Sequence, residues 1–208
     1  MGLKSEDNAM FMERVFSKYI PLHFVPYLVD LYSSVNVSLI IKNPRKTKFG
    51  DFKPLKKTGW TQITINNNLN EYGFLITALH EFAHLLVYET YRNNVSPHGK
   101  EWKDAFKTLL IPVLESKKLP EDIQKPLLES ISNIKSSTCY NYDLYKAIVS
   151  RDDLSNLCFL EKIENGGQFQ FNGLTFVRGD IRRTRFICTE LETKNSFLFH
   201  GLAKVKAL

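Results

Sequence analysis

Residues Gly73 to about Tyr91 place the tightest constraint on the fold. Nearly every position around a helical wheel is apolar there: Phe74, Leu75, Ile76, Ala78, Leu79, Phe82, Ala83, Leu85, Leu86 and Val87. A helix that is apolar on all sides is buried on all sides, so a domain has to be built around it. Asn66 to Asn68 and Asn70 precede it as a turn-rich break that can cap its N-terminus. The run from Phe74 to Val87 is broken by Thr77, His80, Glu81 and His84. It is also shorter than the ~20 residues a bilayer crossing needs, so it does not read as membrane-spanning.

The polar interruptions carry the chemistry. His80 and His84 stand at i and i+4 and therefore share one helix face. Each can offer a neutral imidazole nitrogen to the same metal ion. Glu81 is placed to reach a water on that ion, so His-Glu-x-x-His is the spacing of a zinc peptidase with a carboxylate general base. The competing account is two core histidines with a paired Glu. The cost of burying such groups unsatisfied in an apolar helix favours the metal. A catalytic zinc usually takes a third protein ligand and keeps one position open. His98, after the polar loop Arg92 to Pro97, is the first candidate and Glu101 the second. The longer pattern HExxHxxGxxH is not followed, because Glu89 to Tyr91 stand where its Gly and third His would come. His23 and His200 read as structural or surface histidines.

The elements around this helix follow from pattern. Residues 12–33 predict an interrupted helix, punctuated by Pro21 and Pro26, with a second short helix from about Pro26 to Tyr32. Val35 to Ile41 alternates as a strand does. Arg45 to Lys57 predicts a hairpin or irregular strand. Trp60 to Asn66 predicts a strand with one apolar face, formed by Thr61, Ile63 and Ile65. Ser96-Pro97 opens a helix bearing Trp102, Phe106 and Leu110, and further helices are expected at Asp122–Ile134 and Tyr142–Val149. Beyond about Leu157 the character changes to short β runs between turn signals, with four or five strands expected. Asn172-Gly173 is the clearest hairpin.

The chain has 208 residues and a formal net charge of +6. Residues 154–208 hold eight Lys or Arg against five Asp or Glu, so about a quarter of the chain carries half the charge. Arg178, Arg182, Arg183 and Arg185 cluster about one turn; they suit phosphate contact or a solvated hairpin edge equally. Arg45, Lys46, Lys48, Lys53, Lys56 and Lys57 form a second basic group beside the expected cleft. Three scattered cysteines, Cys139, Cys158 and Cys188, make no disulfide framework. The first ten residues hold Lys4, Glu6 and Asp7 and no apolar core, so a cytoplasmic protein is expected.

Five segments together resemble the SprT-like family of zinc metalloproteases, which includes the Spartan proteases that degrade DNA–protein crosslinks. They are Arg45-Lys-Thr-Lys-Phe-Gly-Asp-Phe52, Ile63-Thr-Ile-Asn66, Leu69-Asn70, Leu75-Ile-Thr-Ala-Leu-His-Glu-Phe-Ala-His84 and His98-Gly-Lys-Glu-Trp102. Their order and spacing are similar to the family domain from about Phe11 to Leu110. The resemblance implies His80, His84 and His98 as ligands of one Zn²⁺ and Glu81 as general base, favouring His98 over Glu101. It implies an α+β fold: a mainly helical, zincin-like metalloprotease domain with a small antiparallel sheet, whose Trp60–Asn66 strand lies near the cleft. A small all-β C-terminal module follows. On this reading residues 1–153 form the protease domain and residues 154–208 the module.

Many family members end in a four-cysteine zinc ribbon. Here Phe186-Ile-Cys-Thr-Glu-Leu191 resembles a remnant of it, and aromatics around Phe169 and Phe171 stand where the upstream pair would fall. One thiol cannot close a Cys₄ site, so a metal-free module with an aromatic core is expected. The function expected is a zinc-dependent metallopeptidase acting on a protein or peptide substrate, with DNA-associated proteins as one class and DNA as a partner of the basic residues. The alternative is a zinc-containing DNA-binding or scaffold protein without significant proteolysis.

Overall fold

The structure, a computed structural model, describes residues 6–45, 47–55, 59–132 and 142–208. The chain divides into two compact units, Met1–Arg151 and Asp152–Leu208. The architecture is α+β, with helices and a three-stranded sheet in the first unit and a six-stranded antiparallel sheet in the second.

The first unit opens with α1 (Glu6–Phe16), a 3₁₀ turn (Leu22–Phe24) and α2 (Val25–Ser33). The first helix begins six residues earlier than the apolar spacing predicts. Its opening turn is polar and gives no periodic signal. Pro26 sits in the first turn of α2, where its missing N–H costs nothing.

β1 (Val37–Lys42), β2 (Gly50–Pro54) and β3 (Thr61–Asn66) form a sheet in the order β1-β3-β2. It is mixed, not antiparallel as expected. β2 and β3 are joined by a short connection and must run antiparallel. β1 lies on the far side of β3, and two reversals of the chain bring it parallel to β3.

The central strand has the expected apolar face, and its opposite, polar face is buried as well at Thr64 and Asn66. Ile63 and Ile65 are fully buried, and so nearly are Thr64 and Asn66 on the opposite face. Arg45 makes that burial tolerable: its Nε donates to Asn66 Oδ1 at 2.8 Å and its Nη1 to Thr64 Oγ1 at 2.9 Å. Asn66 Nδ2 in turn donates to the Lys48 carbonyl at 2.8 Å. Arg45 is therefore a strut of the sheet, not a free member of the basic group in which its sequence neighbours place it.

α3 (Glu71–Tyr91) runs through the middle of the unit. Phe74, Leu75, Ile76, Leu79, Phe82 and Leu85 have no exposed surface. At roughly 1.5–3 kcal/mol per fully buried large side chain, this helix supplies the largest share of the hydrophobic stabilisation. Asn70 caps it by accepting from Gly73 N–H at 3.0 Å. The same side chain donates to the Ile148 carbonyl at 2.8 Å and ties the cap to α6 (Tyr142–Val149). α4 (Lys100–Glu115) and α5 (Glu121–Ser132) complete the layer. Residues 133–141, which include Cys139 and the Ser/Thr stretch, lie outside the described residues.

In the second unit, β4 (Cys158–Phe159), β5 (Gln168–Phe171), β6 (Leu174–Arg182), β7 (Arg185–Glu190), β8 (Ser196–His200) and β9 (Lys204–Ala207) lie in the order β4-β9-β5-β6-β7-β8. Six strands replace the four or five expected, because β4 and β9 are too short to alternate legibly. Asn172 and Gly173 take φ of 51° and 82° in the β5–β6 turn, the paired positive values that a two-residue hairpin demands. Phe169, Phe176, Phe186 and Cys188 form the core, with the Phe169 and Phe176 rings stacked at 5.5 Å.

Candidate metal centre

α3 delivers His80 and His84 one turn apart, and the turn before α4 delivers His98. That residue precedes the helix, which starts at Lys100 with Gly99 as its N-cap, so it does not begin the helix as the Ser96-Pro97 signal suggests. The three Nε2 atoms converge: 3.0 Å between His84 and His80, 3.1 Å between His84 and His98, and 3.4 Å between His98 and His80. Three nitrogens bound tetrahedrally to one ion at 2.0–2.1 Å stand about 3.3 Å from each other. The triangle therefore has the size that a tetrahedral metal requires. Among the described residues these three histidines form the group able to hold a metal ion. Glu101, the rival ligand, is not in it.

Electrostatics prepare the donors. Burial, then the neighbouring imidazoles, push His80 down to about 2. Burial and His98 push His84 down to about 4, and burial lowers His98. All three rings are held neutral, with lone pairs available. Trp102 packs against the set. Its ring lies 4.7 Å from His80, 5.4 Å from His84 and 4.8 Å from His98, and it is stacked on Phe106 at 5.0 Å.

Glu81 lies beside the cluster, with Oε1 4.0 Å from His80 Nε2. It is only 5% exposed, unusual for a carboxylate. Burial, helped by Asp51, pushes its carboxyl up to about 8, against a hydrogen bond from the Phe52 N–H and the positive charges of Arg45 and Lys48. Asp51 is itself paired with Lys48 at 2.8 Å and Lys53 at 3.6 Å.

A cavity of about 590 Å³ opens over these groups. Its walls are β2, with Gly50, Phe52 and Pro54, and the C-terminal half of α3, with Val87, Tyr88 and Arg92. The family resemblance implies that the Trp60–Asn66 strand lies near the cleft; the strand that lines it is β2, and β3 is the next strand in, because β3 is the inner strand of the sheet. Nothing in the residue pattern of β2 marks it as the wall. Only its edge position does.

The remaining candidates have surroundings of their own. His23 packs its ring on Phe24 at 4.1 Å, and His200 Nδ1 accepts from the Leu202 N–H at 3.1 Å. Arg182, Arg183 and Arg185 are exposed on and beside the β6–β7 turn. Arg178 is not one of that exposed set: its guanidinium lies 4.2 Å over the Phe186 ring and its Nε is buried. Lys46, Lys56 and Lys57 fall outside the described residues. Among the described residues no helix is long and apolar enough to cross a membrane.

No curated protein and no solved structure matches the chain. One family model does, and its span, residues 26–119, takes in α2, the three-stranded sheet, α3, α4 and all three histidines. Residues 26–119 thus match the model of the SprT-like family, and this segment of the chain is similar to a SprT-like domain.

Proposed function

We infer that the protein is a zinc-dependent metallopeptidase whose zinc is held by His80, His84 and His98. The observation that carries this reading is the convergence of three neutral Nε2 atoms within 3.4 Å, beside a buried carboxylate, on the floor of an open cleft. An all-nitrogen tetrahedral set suits zinc. A zinc ion there supplies Lewis acidity, activating water and polarising a carbonyl.

The chain's own groups do the rest. Glu81 Oε1, 4.0 Å from His80 Nε2, is the proton acceptor and passes the proton on to the leaving amine. The Phe52 N–H fixes the carboxylate in place. β2 offers an extended substrate a template. The Asn66 N–H donates to the Phe49 carbonyl, so alternate residues of β2 face β3. The carbonyls of Gly50, Phe52 and Pro54 therefore turn to the other edge, where the N–H groups of an extended peptide can pair with them, while the Phe52 N–H is taken by Glu81 and Pro54 has none.

We extend the reading to DNA-associated proteins as substrates, with Arg182, Arg183 and Arg185 contacting DNA phosphates. Their exposure on one hairpin supports this. The decisive experiment compares the parent with Glu81→Gln on a basic, DNA-binding protein, with and without DNA. Cleavage by Glu81→Gln is expected to fall about 10²- to 10⁴-fold while zinc stays bound. Equal cleavage by the two forms would sink the catalytic assignment.

A further inference from the structure

Gly50 opens β2 at the wall of the cleft. Its φ lies outside the left-handed region, which the glycines at 59, 166 and 173 adopt. Backbone freedom therefore does not explain a glycine here. Space does. A Cβ on residue 50 would stand 2.5 Å from Glu81 Oε1, 2.8 Å from Glu81 Cγ and 2.8 Å from Thr77 Cγ2. All three distances are closer than real Cβ atoms come to their neighbours. Glu81 and Thr77 are 5% and 4% exposed, so Thr77 is packed in, and Glu81, which lines the cleft, would have to swing toward it and leave its present place.

The oxygen that this Cβ would strike is the one 4.0 Å from His80 Nε2. Two residues along the same edge, the Phe52 N–H donates to the Glu81 carboxylate. β2 thus acts on Glu81 twice, through a missing side chain at position 50 and a backbone donor at position 52.

We propose that Gly50 is a positioning residue: its bare Cα forms a shelf that, with the Phe52 N–H, sets the Glu81 carboxylate beside the three-histidine site. The mechanistic consequence rests on the reading of Glu81 as the proton acceptor. The geometric claim does not. Any side chain at position 50 takes the place that the carboxylate occupies. Misplacement of a reacting group by about 1 Å costs on the order of 100-fold in rate.

The test is Gly50→Ala, read in three ways. Exchange protection of the Phe52 amide, followed by NMR, is expected to fall as the carboxylate leaves it. Zinc affinity, measured by chelator competition, is expected to stay within a few-fold of the parent. Peptidase kcat is expected to drop roughly 10- to 100-fold with KM little changed. The Gly50→Ala/Thr77→Ser variant removes the Thr77 methyl that a Cβ would meet and so relieves the packing clash but not the one with Glu81. It should regain thermal stability without regaining rate or Phe52 protection.

Parent-like Phe52 protection in Gly50→Ala would overturn the proposal, as would a rate restored by Thr77→Ser or a loss of zinc affinity matching the loss of rate. If Glu81→Gln is as active as the parent, the catalytic reading fails instead, and the amide exchange still decides the shelf.

Discussion

Trp102→Ala separates what the indole does for the fold from what it does for the metal site. Trp102 is 1% exposed, and its ring touches all three imidazoles within 5.4 Å. Removing a buried Trp side chain costs about 3–5 kcal/mol through lost contacts and the cavity left behind. That cost falls on the protein with or without metal. A second cost appears only with zinc bound. If the ring holds the imidazoles in register, its loss should weaken zinc binding about 10- to 100-fold, as is usual for groups that orient metal ligands. At 1.4 kcal/mol per tenfold, the destabilisation measured in saturating zinc should exceed that without zinc by about 1.4–2.8 kcal/mol. The assay is equilibrium urea unfolding of parent and variant in both conditions, with zinc affinity measured independently by chelator competition. Trp102→Phe retains the stack on Phe106, which lies at 5.0 Å, and should show a smaller excess. Equal destabilisation with and without zinc, together with an unchanged affinity, would refute the argument and reduce Trp102 to a core residue.

Two other outcomes test other residues. Replacing Arg182, Arg183 and Arg185 by Ala should weaken DNA binding and lower the slope of log K against log salt by about 2 to 3, because three phosphate contacts release their counterions. An unchanged slope would remove these residues from any DNA interface. Tyr27 donates its hydroxyl to the Leu109 carbonyl at 2.8 Å, and burial pushes its phenol up to about 12. The fold favours the neutral phenol, so its contribution is whole below pH 10 and is lost as pH rises from 10 through 12. Tyr27→Phe should show a shallower decline in unfolding free energy over that window. Parallel profiles for the two proteins would contradict the assignment.

The paired histidines on α3 were legible because an α-helix is rigid and periodic. Residues i and i+4 share a face whatever surrounds them, so His80, Glu81 and His84 needed no tertiary information. The capping role of Asn70 and the turn at Asn172-Gly173 were legible for the same reason: short-range sterics and local hydrogen bonds decide them. The family resemblance, carried by ordered segments across the first unit, added His98, which spacing alone left in competition with Glu101.

What could not be read locally depends on which groups meet across the chain. Arg45 looks like surface charge in sequence, yet it is the donor that lets Thr64 and Asn66 be buried. β3 has the pattern of a half-exposed strand but is central, because β1 and β2 both pair with it. The same strand order makes β2 the edge and puts it on the cleft. The opening motif therefore determined by itself that two imidazoles share a helix face, with a carboxylate next to the first of them. Only the tertiary structure decided that the His98 turn would close the triangle and that a glycine on an edge strand would leave Glu81 its place. Helical spacing is a property of one segment, whereas a triangle of imidazole nitrogens and a shelf arise where the chain packs against itself.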